Sequence, residues 1–169
     1  MGCGVTTLKK ILILTFDDKY LKEIAKIIIN KEFEVNVNTN FINYRYRQKN
    51  ILLTFLSNKQ KWTWLHHFSG TYGTIVVYEG ADAQNNFNEI ENLLSSKILH
   101  KRPLILIFDK SKLGDKDYRF LENIRYNLYQ KNIKFIIQFI DFSNNNINTE
   151  INRELYYGLE WLFHEINSK

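Results

Sequence analysis

The stretch Leu8–Asn30, LKKILILTFDDKYLKEIAKIIIN, decides how the rest of the chain is read. It opens with a continuous apolar run, Ile11 to Leu14, with charge on both sides. So short a run, β-branched and followed by a helical pattern, predicts a strand buried on both faces. From Lys19 onward Leu21, Ile24, Ala25, Ile27 and Ile28 recur at helical spacing. Strand, short turn and helix make the first half of a βαβ unit, whose first strand commonly lies mid-sheet. The turn Thr15-Phe16-Asp17-Asp18 is therefore the place where a phosphate would sit if the protein bound one.

The residue types in that turn argue against such a ligand. A phosphate cradle needs glycines, so that backbone amides can approach the anion and adopt positive φ. No glycine occurs between Gly4 and Gly70. Asp17 and Asp18 instead place two carboxylates at the helix N-terminus, where they cap it and occupy the positive end of its dipole. An arriving phosphate meets like charge. A structural, well-capped helix is the plainer reading.

At 169 residues the chain fits one domain, large enough to bury about 70% of its unfolded surface. No apolar run approaches the roughly 20 residues of a membrane span, and no secretory signal is visible. A single cysteine excludes an internal disulfide and fits a reducing compartment. The net charge of +5 is spread along the chain without a dense basic block. That permits attraction to anionic lipid and gives little support for a nucleic-acid partner.

The first residues, MGCGVT, match the myristoylation pattern M-G-x-x-x-[ST], with Gly2 as acceptor. Cys3 beside it is a natural site for a second acyl chain, palmitate. One myristoyl chain holds a protein to a membrane only marginally, whereas two anchor it stably. The alternative is a chance N-terminus with an inert cysteine. Residues 1–8 are read as an acylated tail and 9–169 as one domain.

Farther along, FINYRYRQ (41–48) alternates Ile42, Tyr44 and Tyr46 against Asn43, Arg45 and Arg47, as a half-exposed strand does. Lys49-Asn50 reads as a tight turn into the strand Ile51–Leu56, making a β-hairpin. Residues 59–68, KQKWTWLHHF, suggest an irregular turn and a short helix. Strands are expected over Tyr72–Tyr78, Pro103–Phe108 and Ile133–Ile140. Helices are expected over Asp82–Leu99, Lys116–Gln130 and Thr149–Ile166, the last capped by Thr149. The order implies an α/β fold: a mostly parallel six-stranded sheet with one antiparallel edge hairpin and helices on both faces.

That order is shared with the Ras-like small GTPases, and several segments resemble the Arf and Arf-like family. Trp64-Leu65-His66-His67-Phe68 is similar to the family's Trp-x-His-Tyr-Tyr segment. Gly73-Thr74-Ile75-Val76-Val77-Tyr78-Glu79-Gly80-Ala81-Asp82 is similar to its Gly-hydrophobic strand ending Asp-Ser-x-Asp. Leu155-Tyr156-Tyr157-Gly158-Leu159-Glu160-Trp161-Leu162 resembles its Leu-x-x-Gly-Leu-x-Trp-Leu helix. An acylated Gly2 is also a family habit.

The family's chemical motifs are altered here. Its G-x-x-x-x-G-K-[ST] loop falls on Thr15 to Lys22, with both glycines lost. Leu21 stands where the phosphate-binding Lys belongs, and Lys22 where a hydroxyl would hold Mg²⁺. The Asp-x-x-Gly-Gln motif finds only Ser57-Asn58-Lys59-Gln60, and Thr39 lies out of register for the switch Thr. The guanine-reading Asn-Lys-x-Asp falls on Asp109-Lys110-Ser111-Lys112. Lys112 there would present a donor to the donors of the guanine edge. Losses at the phosphate, metal, switch and base positions together argue against ordinary GTP binding, and more strongly against GTP hydrolysis.

The resemblance thus implies a lipid-anchored pseudo-GTPase, an interaction or scaffold protein of membrane or vesicle traffic at the cytosolic face. No cofactor, metal, catalytic residue or nucleic-acid partner is expected. The hairpin and the segment after it correspond to the family's effector-facing regions, so Phe41, Tyr44, Tyr46 and Trp62 are the candidate partner contacts. An alternative is an active, divergent GTPase that binds GTP and Mg²⁺ through a remodelled site. Asp17-Asp18 after a strand also resembles a phosphotransfer receiver. That reading lacks an acceptor Asp on a later central strand, and the hairpin breaks its βα alternation. The four histidines have no metal-site spacing: His66 and His67 are adjacent, and His100 and His164 are isolated.

Overall fold

The computed structural model describes residues 8–29, 41–46, 49–57, 64, 66–78, 92, 101–143 and 150–168. Their strands are β1 (Lys9–Thr15), β2 (Phe41–Tyr46), β3 (Lys49–Leu56), β4 (Thr71–Tyr78), β5 (Leu104–Asp109) and β6 (Phe135–Ile140). The helices are α1 (Asp18–Ile29), α2 (Asp115–Gln130) and α3 (Glu150–Asn167). A 3-10 turn, Lys110–Lys112, follows β5. The helix expected over Asp82–Leu99 lies outside the described residues, as do Thr149, Gly2, Cys3, Thr39 and Trp62.

One sheet runs in the order β2-β3-β1-β4-β5-β6, with β2 antiparallel to β3 and the other pairs parallel. β1 lies between β3 and β4, and its residues from Ile11 onward are buried, as an apolar run of that length requires. The pleat then sorts the core into two layers. Ile11 and Ile13 face α1 and α3, packing with Leu21, Ile24, Leu159 and Leu162. Leu12 and Leu14 face the other layer, which α2 covers with Leu121, Ile124 and Leu128, beside Trp64 and Phe68. Helices on both faces follow directly.

Trp64 and Phe68 belong to this core rather than to a surface loop. Trp64 is buried, donates its indole N–H to Ser57 O at 3.0 Å, and meets Phe16 edge-on at 5.6 Å. Gly73 lets α3 lie close on β4, since a Cβ there would meet Leu162 Cδ1 at 2.9 Å. Gly158 does the same for β6, where Gln138 donates to Glu154 O of α3 at 2.5 Å.

Two expected boundaries are corrected. Lys49 and Asn50 are not the hairpin turn but the start of β3, paired with Tyr46 and Arg45. The connection is residues 47–48, outside the described set. Ile133 and Lys134 do not belong to β6. Lys134 O accepts the Leu104 N–H just before β6. Ile133 completes the stop of α2, where its N–H reaches Leu128 O and Asn132 N–H reaches Tyr129 O, with Asn132 at φ 53°. That is a Schellman stop, and Asn tolerates the left-handed position it demands. The apolar Ile133 extended the strand pattern by two residues because it is itself buried.

Candidate functional site

In a sheet of this kind ligands bind outside the carboxyl ends of the strands, where the strand order reverses. Here that point is the end of β1, whose neighbours β3 and β4 lie on opposite sides. The turn after β1 is closed by its own polar groups. Thr15 Oγ1 donates to Asp17 O at 3.0 Å, and Asp17 Oδ1 accepts the N–H of Lys19 at 2.8 Å. Asp17 is thus the N-cap of α1, and Asp18 is its first residue. One helix N–H that could meet an anion is already taken by a carboxylate.

The next residue of consequence is Tyr20, which sequence reasoning passed over. It stands where the resembled loop has its second glycine, and it is fully buried. Its ring reaches across the end of β4 to the end of β5, where its hydroxyl donates to Asp109 Oδ2 at 2.5 Å. Phe142, just after β6, meets the ring edge-on at 4.9 Å and 90°. Lys112 Nζ lies 5.0 Å from the ring centroid, within cation–π range.

Asp109 is itself buried and doubly used. Its Oδ1 accepts the Ser111 N–H at 3.0 Å and the Ser111 hydroxyl at 2.6 Å, which starts the 3-10 turn after β5. Asp141 and Ser143 repeat the arrangement after β6, at 2.9 and 2.6 Å. Two segments that hold opposite ends of a nucleotide in the resembled family, the phosphate loop and the base-reading motif, are here bonded to one another. Tyr20, Asp109, Lys112 and Phe142 fill the space between them with side chains.

The other candidate positions fall as follows. Leu21, at the phosphate-lysine position, is core, 1% exposed and packed in the α1 layer. Lys22 and Lys110 are exposed. Tyr78, at the end of β4, is buried against Phe108 and Phe120. Burial, and then the nearby Asp117, push its hydroxyl above the usual tyrosine range. Among the described residues no three His, Cys, Asp or Glu side chains converge to hold a metal. Of the partner candidates, Phe41 opens β2, 47% exposed, with its ring 5.8 Å from that of His67. Tyr44 and Tyr46 lie opposite Ile51 and Lys49 on the hairpin; their side chains are outside the described residues.

The Tyr20 hydroxyl is testable by one atom. Tyr20→Phe keeps the ring contacts and leaves Asp109 Oδ2 without its donor in a buried setting. It is expected to lower unfolding stability by about 1.5–3 kcal/mol, the range for a hydrogen bond to a charged group, read from chemical denaturation. A loss near zero would show that the Tyr20–Asp109 contact contributes nothing to stability.

No protein-family model and no curated protein sequence matches the chain. Its fold does match solved structures. One is the Arl6 BBS3 small GTPase from Trypanosoma brucei with a bound nucleotide analogue, GppNp. The match covers 96% of this chain and 99% of that one, with a TM-score of 0.62 and 12% sequence identity. The architecture expected from the sequence is therefore the one found: the six-stranded α/β fold of an Arf-like small GTPase.

Proposed function

We propose that the protein is a pseudo-GTPase, a nucleotide-independent interaction protein on the Arf-like fold. The observation that carries this reading is the Tyr20–Asp109 hydrogen bond. It joins the segment at the phosphate-loop position to the segment at the base-reading position, and it buries a tyrosine between them. The surrounding charge acts the same way. Asp17 caps the helix that would receive the phosphates, and Lys112 covers the Tyr20 ring instead of reading a base. A GTP-loaded member of the fold orders its effector segments through the γ-phosphate. In this chain Trp64 and Phe68 are held by packing in the core.

The partner surface is the hairpin and the segment after it, with the exposed Phe41 and, from the sequence, Tyr44, Tyr46 and Trp62 as aromatic contacts. Gly2 and Cys3 supply a constitutive two-chain anchor at the cytosolic face of a membrane, and vesicle traffic or membrane organisation is the setting that suits such an adaptor. No helix among the described residues is long and apolar enough to cross a membrane, so acylation is the attachment the reading requires.

Two measurements test the reading. Ligand binding at a hundredfold excess over Kd raises apparent stability by about 2.7 kcal/mol. The expected result is no thermal shift with GTP and Mg²⁺. A saturable, Mg²⁺-dependent shift with GTP but not ATP would promote the active-GTPase alternative. For the anchor, Gly2→Ala is expected to lose myristate labelling and move the protein from the membrane to the soluble fraction; unchanged fractionation would refute it.

A further inference from the structure

The amino-end edge of the sheet is the more basic one, and the carboxyl-end edge carries more aspartates than lysines. At the carboxyl ends of the strands lie Asp17, Asp18, Asp109, Asp115, Asp117 and Asp141, following β1, β5 and β6 and opening α2. At the amino ends lie Lys9 and Lys10 of β1, Lys101 and Arg102 before β5, and Lys131 and Lys134 before β6. Among the described residues at that second edge the one carboxylate is Glu165, 2.6 Å from Lys134. β1 and β6 thus run from lysines to an aspartate, while Lys19, Lys110 and Lys112 share the carboxyl-end edge with the aspartates.

Part of the basic rim serves the fold itself. Lys9 Nζ donates to Ile166 O at 2.7 Å and Asn167 Oδ1 at 2.8 Å, answering the negative end of α3. Lys10 Nζ donates to Ser69 O at 2.8 Å, and burial draws its ammonium below the ordinary lysine range. The two lysines nearest the N-terminal tail are thus committed to internal carbonyls. What remains presented is carried by the turns beside them. Lys101 is exposed at φ 67°. Arg102 is held 5.4 Å from the Tyr72 ring centroid, with Lys9 at 5.5 Å. Lys134 keeps a side chain 64% exposed despite its pairing.

We propose that this rim is a docking face for an anionic lipid bilayer. Charge complementarity favours that occupant, and so does continuity with the chain, because exposed Leu8 enters β1 at this rim. A flat bilayer meets the turns before β1, β5 and β6 together, while the carboxyl-end edge, with the Tyr20–Asp109 bond, faces away. Juxtamembrane basic residues gain about 1 kcal/mol each near an anionic leaflet, about fivefold in binding, within a Debye length of the surface. The face orients the molecule whether or not the tail is acylated, so its failure and that of the anchor reading are separable.

The test uses the full-length Gly2→Ala chain, which removes the acyl contribution, in co-sedimentation with vesicles. The vesicles are phosphatidylcholine alone or with about one-third phosphatidylserine. Binding is expected only to the anionic vesicles and is expected to weaken with salt. Adding Lys101→Asn, Arg102→Gln and Lys134→Gln is expected to lower it by at least about tenfold. Lys19→Gln, Arg119→Gln and Arg153→Gln, an equal loss of charge elsewhere, is expected to keep most of it. If the triple rim variant folds poorly, Lys101→Asn alone is read, since Asn accepts the left-handed backbone, with about a fivefold loss expected. Equal binding to neutral vesicles, equal loss in the control triple, or preferential binding of duplex RNA at the same salt would each overturn the proposal.

Discussion

The hydrogen bond from Tyr20 to Asp109 ties the first turn of α1 to the end of β5, at the edge of the sheet on which every reading of this fold turns. It links residues 89 apart in sequence, and both side chains are withdrawn from water. A buried carboxylate without donors is costly, and this one accepts from Tyr20, the Ser111 amide and the Ser111 hydroxyl. The tyrosine ring in turn is walled by Phe142 and covered by Lys112. The ends of β1, β5 and β6 are therefore tied by side chains at the place where a ligand would otherwise tie them. The donors seen there, the Tyr20 hydroxyl and the Ser111 amide and hydroxyl, are bonded within the chain.

Those ties explain why the altered motifs cost the fold so little. Leu21 belongs to the α1 layer of the core, where a lysine would need a buried partner. Asp17 in the turn caps α1 and completes the Thr15 contact, so the loop keeps its shape without glycines. The residues that depart from the resembled motifs are individually good structural choices.

Much of this was legible in the sequence, for physical reasons that differ by residue. β1 and α1 could be read because a strand buried on both faces and an amphipathic helix leave distinct periods. The strand order followed from the lone hairpin among alternating β and α segments. The hairpin turn was misplaced because Lys49 and Asn50 are polar residues near a sheet edge, where pairing leaves no apolar signature. β6 was drawn too long because Ile133 is buried by the helix stop rather than by the strand. Tyr20 was invisible for another reason: in the first turn of a helix a tyrosine is ordinary, and its partner lies in another motif. Reading the two altered motifs jointly, a tyrosine where one loses a glycine and an aspartate where the other begins, was the signal available.

The uneven charge of the two sheet edges and the Tyr20–Asp109 bond belong to one architecture, with the bond at the carboxyl ends of the strands and the exposed basic turns at the amino ends. The most direct measurement of the central claim is a crystal structure grown with a millimolar non-hydrolysable GTP analogue and Mg²⁺. The account predicts an empty nucleotide position, Tyr20 buried, and its hydroxyl within hydrogen-bond distance of Asp109. Nucleotide bound across the ends of β1 and β5, with Tyr20 displaced from Asp109, would contradict it.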